Sequence, residues 1–147
     1  MTPADTMPTE DQVEAPAPAG RPAVDTAPFV GCWLSTNKNT QGIAKLVVIG
    51  DGDDLRVQAF GANAPALCEW GEVTGTVFSD GAASTTGLAF RAVYDFGFKE
   101  TILQAKVKKG VLVVANFNRF KDGSRRASYF SREFFYRAPA PGVFHRL

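Results

Sequence analysis

Asn116 and Asn118 stand two residues apart in the apolar run VLVVANFNRF (111–120), so in a strand both side chains leave the backbone on the same side. RASYFSREFFYR (126–137) holds Tyr129 and Glu133 at an even spacing, and Tyr94 lies on the same face as Leu88, Phe90, Ala92 and Phe96. A few amides, phenols and one carboxylate set among apolar residues are what a small-molecule cup needs: a greasy wall with groups that orient the ligand. The residues expected to touch such a ligand are Trp70, Tyr94, Phe96, Asn116, Asn118, Tyr129 and Glu133. Were the cup catalytic, Glu133, Tyr129 and Tyr94 would be its acids, bases or donors. A buried Glu133 would need either a proton or an arginine such as Arg91 or Arg132. The plain alternative is that these groups face water or satisfy one another.

Other chemistries find less material. The single histidine, His145, stands in the C-terminal GVFHRL, so neither a zinc site nor a Ser-His-Asp arrangement is expected. DGDD (51–54) reads as a hairpin turn rather than a calcium loop. No phosphate loop or dinucleotide fingerprint appears, and no metal or other cofactor is expected. Cys32 and Cys68 are read as two reduced, mostly buried thiols. NRFKDGSRR gathers Arg119, Lys121, Arg125 and Arg126 at one hairpin tip, countered in sequence only by Asp122. Nearby aromatics give this tip a faint nucleic-acid character, but solvated hairpin tips are ordinarily charged, and nucleic-acid binding is not the expectation.

The elements that must position these residues are strands. Eight segments qualify: 29–36, 43–50, 54–61, 69–79, 86–96, 98–108, 111–120 and 126–137. Thr101, Leu103, Ala105 and Val107 alternate with Glu100, Gln104 and Lys106, a period of two. GDGDD, KKG and KDGS supply glycine and aspartate where hairpins need positive φ. The stretch 61–71 leaves room for one helical turn. Consecutive hairpins of eight short strands imply an all-β, eight-stranded antiparallel up-and-down β-barrel, whose closure removes exposed edges. Such a barrel has an interior that side chains can fill or that can hold one small ligand. Strands seven and eight carry large apolar residues on both faces, which suits an interface or a covered face.

Glycine and tryptophan in Gly31-Cys32-Trp33, at the start of the first strand, resemble the G-x-W signature of the calycin barrels, the lipocalin, fatty-acid-binding and avidin families. That resemblance, over residues 29–137, implies a tryptophan closing one barrel end and an arginine from a late strand lying over it. Arg132 or Arg137 can play that part, and Arg132 is the expected partner of Trp33. With only Trp33 and Trp70 present, biotin is not an expected ligand.

Composition bounds the rest. Residues 1–28 hold six of the nine prolines, no aromatic residue, and five acidic residues against Arg21 alone. They are read as a disordered acidic tail, followed by a barrel domain at 29–137 and a C-terminal extension at 138–147. Residues 29–147 carry ten acidic and fifteen basic side chains, a mildly basic +5. MTPADTMPTEDQ has neither a basic nor an apolar leader region, no apolar run approaches a membrane span, and a cytoplasmic protein is the default. Three functions fit: a barrel binding an apolar or amphipathic small molecule, a cofactor-free cyclase or isomerase using the same cavity, and an interaction module with a filled barrel. A homodimer is compatible with all three.

Overall fold

The computed structural model describes residues 23–62 and 67–139. Eight strands follow one another: β1 Gly31–Ser35, β2 Ile43–Asp51, β3 Asp54–Gly61, β4 Cys68–Ser79, β5 Gly87–Asp95, β6 Lys99–Lys108, β7 Val111–Phe120 and β8 Tyr129–Arg137. Each pairs antiparallel with the next, and β8 pairs with β1 through Trp33↔Arg137, Leu34↔Tyr136 and Ser35↔Phe135, closing the barrel. The turns follow the expected chemistry. Gly52 (φ 65°) turns β2 into β3, and Lys109 with Gly110 (φ 53° and 82°) turns β6 into β7.

Alternation delivers the core. Leu46 and Val48, Leu55 and Val57, Phe90 and Ala92, Leu103 and Ala105, Leu112 and Val114, and Phe135 all point into the barrel and are buried. Glycine at position 75 makes room: a Cβ there would meet Val57 Cγ2 at 2.9 Å and Leu55 Cβ at 3.3 Å, while Phe90 packs over the site at 3.7 Å. A large ring therefore fits opposite a bare backbone.

One end of the barrel is sealed by apolar packing. The segment expected to begin β1 at Phe29 instead forms a single 3₁₀ turn, Ala27–Phe29, and the strand starts at Gly31. Pro28 favours that turn, because it has no N–H to give a ladder and its φ is preset. The turn drives Phe29 into the barrel end, edge-on to Phe90 with centroids 5.4 Å apart. The Trp33 indole N–H donates to the Phe29 carbonyl at 2.9 Å. Over the indole lies Arg137, its guanidinium carbon 4.5 Å from the ring centroid, while Nη2 donates to the Pro28 carbonyl at 2.8 Å.

The cation over Trp33 is thus Arg137 and not Arg132. Odd-numbered residues of β8 face inward, and Arg132 points out, where its guanidinium lies over Phe134 at 5.7 Å. Gly31 serves the same contact. A Cβ at that position would stand 3.1 Å from Arg137 Nε.

The chain ends need redrawing in part. Most of the expected tail (1–22) and of the C-terminal extension (140–147) lies outside the described residues. Residues 23–28, expected to be disordered, lie against the barrel: Asp25 N–H donates to the Thr85 carbonyl at 2.8 Å. The Asp25 carbonyl also sits where a Gly87 Cβ would be. Ala138 extends the β1 ladder through its N–H to the Cys32 carbonyl, 2.8 Å. The thiols are free, yet neither is buried: Cys32 is half-buried on the outer wall and Cys68 is exposed. No helix among the described residues is long and apolar enough to cross a membrane.

Candidate functional site

The end away from Trp33 is built differently. Strand β1 is only five residues long, and its pairing with β8 stops when Thr36 N–H reaches the Phe134 carbonyl at 2.9 Å. Past that rung the 36–42 segment replaces a strand beside β8. Thr40, buried, donates its hydroxyl to Glu133 Oε2 at 2.8 Å and accepts from Gly42 N–H at 2.9 Å. A Cβ on Gly42 would meet Glu133 Oε2 at 2.7 Å, so any larger residue here would push the carboxylate from its place beside Thr40. The other carboxylate oxygen, Glu133 Oε1, is buried with no hydrogen-bond partner among the described residues.

No arginine among the described residues meets this carboxylate. Arg91 and Arg132, the expected counter-charges, lie on the outward face of their strands and are exposed. The carboxylate is held by a threonine hydroxyl instead, and one of its two oxygens is left without a partner among the described residues. Such a group costs free energy, about 1–3 kcal/mol for an unsatisfied buried acceptor and more if charged. Residues that cost stability concentrate where they serve another purpose.

Asn116 and Asn118 point inward beside it, 5 % and 7 % exposed. Their strand register explains this: Asn116 opposes Leu103 and Ser131, and Asn118 opposes Thr101 and Tyr129, all on the inner face. Asn118 Oδ1 accepts from the Thr101 hydroxyl at 2.7 Å, which leaves its amino group for another acceptor. The Asn116 amide makes no side-chain hydrogen bond among the described residues. The polar half of the interior therefore presents amide groups and a carboxylate oxygen together.

Around these groups runs an aromatic rim. Trp70 stands edge-on to Tyr94 and Phe96, at 5.4 and 5.3 Å, while Tyr94 and Phe96 stack at 5.7 Å. Phe98, Phe120 and Tyr129 continue the series. The placement of Trp70 comes from a bulge: Ala59 pairs with Gly71 and Phe60 with Glu69, so Trp70 is the extra residue and Gly71 takes φ 96°. The indole then crosses Gly61, where a Cβ would stand 2.7 Å from its Nε1. Cys68, Glu69, Trp70, Phe96, Phe98 and Lys99 line a concavity of about 340 Å³ at this mouth. Lys99 lies over Phe96 and Trp70, at 5.6 and 6.0 Å, and burial, with Arg126 nearby, holds its ammonium below the usual lysine range.

Tyr94 is committed to the scaffold. Its hydroxyl donates toward the Gly71 carbonyl (2.7 Å) and the Val57 carbonyl (3.1 Å), and it accepts from Ala59 N–H (3.0 Å). Burial pushes its pKa up to about 12, which keeps the phenol protonated and pinned to the bulge. Tyr129 is half-exposed at the rim. Of the three residues named for catalysis, Glu133 alone has an unengaged atom inside the barrel.

All seven expected ligand-contacting residues fall at this one end and on the inward face or its rim. Thr40, Gly42, Thr101 and Lys99 were not singled out in sequence. Thr101 had a signal, its place on the inner face of β6; Thr40 sits in a segment without period. At the basic tip two of the three acids come from neighbouring strands. Lys121 pairs with Asp95 (2.9 Å), Arg119 with Glu100 (3.4 Å) and Arg126 with Asp122 (2.9 Å), so Asp122 is not the only counter-charge. The Arg126 guanidinium also lies over Phe120 at 4.3 Å. These local contacts, with Ser124 N–H bonding Asp122, explain why β8 starts at Tyr129 and not at Arg126. His145 and residues 63–66, where a helical turn was expected, lie outside the described residues. No cluster of three or more metal-ligating side chains occurs among the described residues.

No family model, curated protein or solved structure matches this chain.

Proposed function

We propose that this protein is a calycin-like barrel that binds an amphipathic small molecule at its polar end. The ligand's apolar body would lie against Trp70, Phe96 and the rim, and its head group would donate a hydrogen bond to Glu133 Oε1 and engage Asn116 and Asn118. The observation that carries this reading is the buried, unpartnered Glu133 oxygen beside two inward amides, at the end opposite an apolar seal. A filled interaction barrel has no use for that carboxylate. The calycin likeness is supported by Gly31, Trp33 and Arg137 acting together at the sealed end and by the uninterrupted meander. A cyclase or isomerase using the same cup would rest on Glu133 as its one inward acid or base.

Mass spectrometry of the organic extract of the purified native protein tests this reading. A discrete small molecule released by the wild type and absent from Glu133→Leu/Asn116→Leu supports it. If both extracts are empty and an amphipath panel of amines, amides and alcohols fails to raise Tm, the reading fails.

A further inference from the structure

On the outer wall, β7 and β8 form a ladder of four opposed pairs: Val111 with Tyr136, Val113 with Phe134, Ala115 with Arg132, and Phe117 with Phe130. Seven of those eight side chains are apolar. Phe117, Phe130, Phe134 and Tyr136 are 40–56 % exposed, and Phe117 and Phe130 already touch, with centroids 5.1 Å apart. At roughly 200 Å² per aromatic side chain, they leave on the order of 400 Å² of ring surface in one strip. That strip alone is as large as the largest apolar patch on a typical monomer, and half-buried Val111, Val113, Ala115 and Leu34 adjoin it.

Beside the strip lies a groove of about 330 Å³, lined by Phe78, Ala89, Gln104, Lys106, Val113 and Ala115 among others. Ala89, Val113 and Ala115 are short, so the groove accepts a ring. Knob and hole thus lie on one surface, which is the requirement of a two-fold contact between identical chains. The polar groups at this face are mostly cations, with Arg91 and Lys106 among the groove's lining residues. The strip's one cation, Arg132, lies over Phe134, whereas Lys106 and Lys108 border it on β6. An apolar centre with an arginine, edged by polar side chains, is the anatomy of a protein interface.

We infer that the outer face of β7 and β8 is the contact surface of a homodimer, with aromatic side chains of each copy entering the Ala89–Ala115 groove of the other. A standard interface takes about 800 Å² from each partner; the ring surface of the strip supplies about half of that, and its half-buried neighbours and the groove walls add to it. This surface lies on the outer wall and meets the candidate site only at the rim, where Phe117 and Phe130 share a concavity with Asn118 and Tyr129; the inference does not rest on the proposed ligand.

Sedimentation equilibrium of the full chain from 1 to 200 µM tests it. The wild type is expected to approach twice 15.8 kDa. Phe130→Asp/Phe134→Asp should raise the dimer dissociation constant at least 100-fold. The strip is exposed, so the thermal transition of the isolated variant should remain cooperative, and circular dichroism checks that it folds. Ile49→Asp, an exposed apolar residue on β2, should leave the dimer unchanged. A monomer at 200 µM, or a dimer equally sensitive to Ile49→Asp, overturns the inference. A monomer whose β7–β8 amide resonances shift on deletion of residues 2–22 overturns it too, and assigns the face to the chain's own acidic segment.

Discussion

The two ends of the barrel use opposite means to fill the same cross-section. At the Trp33 end, Phe29, Trp33, Phe90 and Phe135 are no more than 1 % exposed, and every polar atom the Trp33 ring brings finds a partner. At the other end the interior holds a carboxylate, two amides and two threonines, and one carboxylate oxygen has no partner among the described residues. The first arrangement maximises burial and leaves nothing to bind. The second sacrifices stability at a defined point. That difference separates a part of the protein that folds it from a part available for function.

Truncation inside the seal should have the largest effect. Phe90→Ala removes a ring packed on Phe29 and over Gly75, and should cost about 3–5 kcal/mol in denaturant unfolding. A loss below about 1 kcal/mol would mean that this end collapses readily, and the contrast between the ends would disappear.

Tyr94→Phe comes next. It strips a partner from Ala59 N–H and from two carbonyls at the bulge, for about 1–3 kcal/mol. The wild type carries a pH signature of the same contact. The folded phenol titrates at about 12 against an ordinary 10, so the unfolded chain loses its proton first as pH rises. The contribution is therefore complete below pH 10 and is lost on the way to pH 12. Tyr94→Phe should flatten that part of the Tm–pH profile; an unchanged slope would place its cause elsewhere.

Arg137→Ala should cost about 1 kcal/mol through the lost contact over Trp33 and the lost bond to the Pro28 carbonyl, with a red-shifted tryptophan emission. Arg137→Lys should recover little of it, because an ammonium lacks the planar fork that does both tasks. Full recovery would reduce the contact to simple charge.

The smallest effect should have the opposite sign. Glu133→Gln retains an acceptor for the Thr40 hydroxyl and removes the unpartnered carboxylate oxygen, so stability should rise by up to about 1 kcal/mol while ligand retention falls. A clear loss of stability would make Glu133 a structural residue like Tyr94, and the two ends would be alike in kind.

Much of this was legible in the chain. The two-residue period of β5 and β6 assigned their inner faces and showed that Asn116 and Asn118 share a side, but β7 is apolar on both faces, so only its register in the closed barrel turned both amides inward. Glycine and aspartate at the turns announced the hairpins, since few residues accept positive φ. Eight such strands in hairpin order implied closure. What local pattern does not carry is register between residues far apart in sequence. Whether Arg132 or Arg137 covers Trp33 depends on a one-residue slip where β8 meets β1, and a slip of one reverses every side chain. The contact of Thr40 with Glu133, 93 residues away, depends on β1 stopping short, which no period in the sequence announces. Local alternation thus determined which side chains could enter the barrel. Only closure decided which of them meet, because that is settled by the pairing of the first strand with the last.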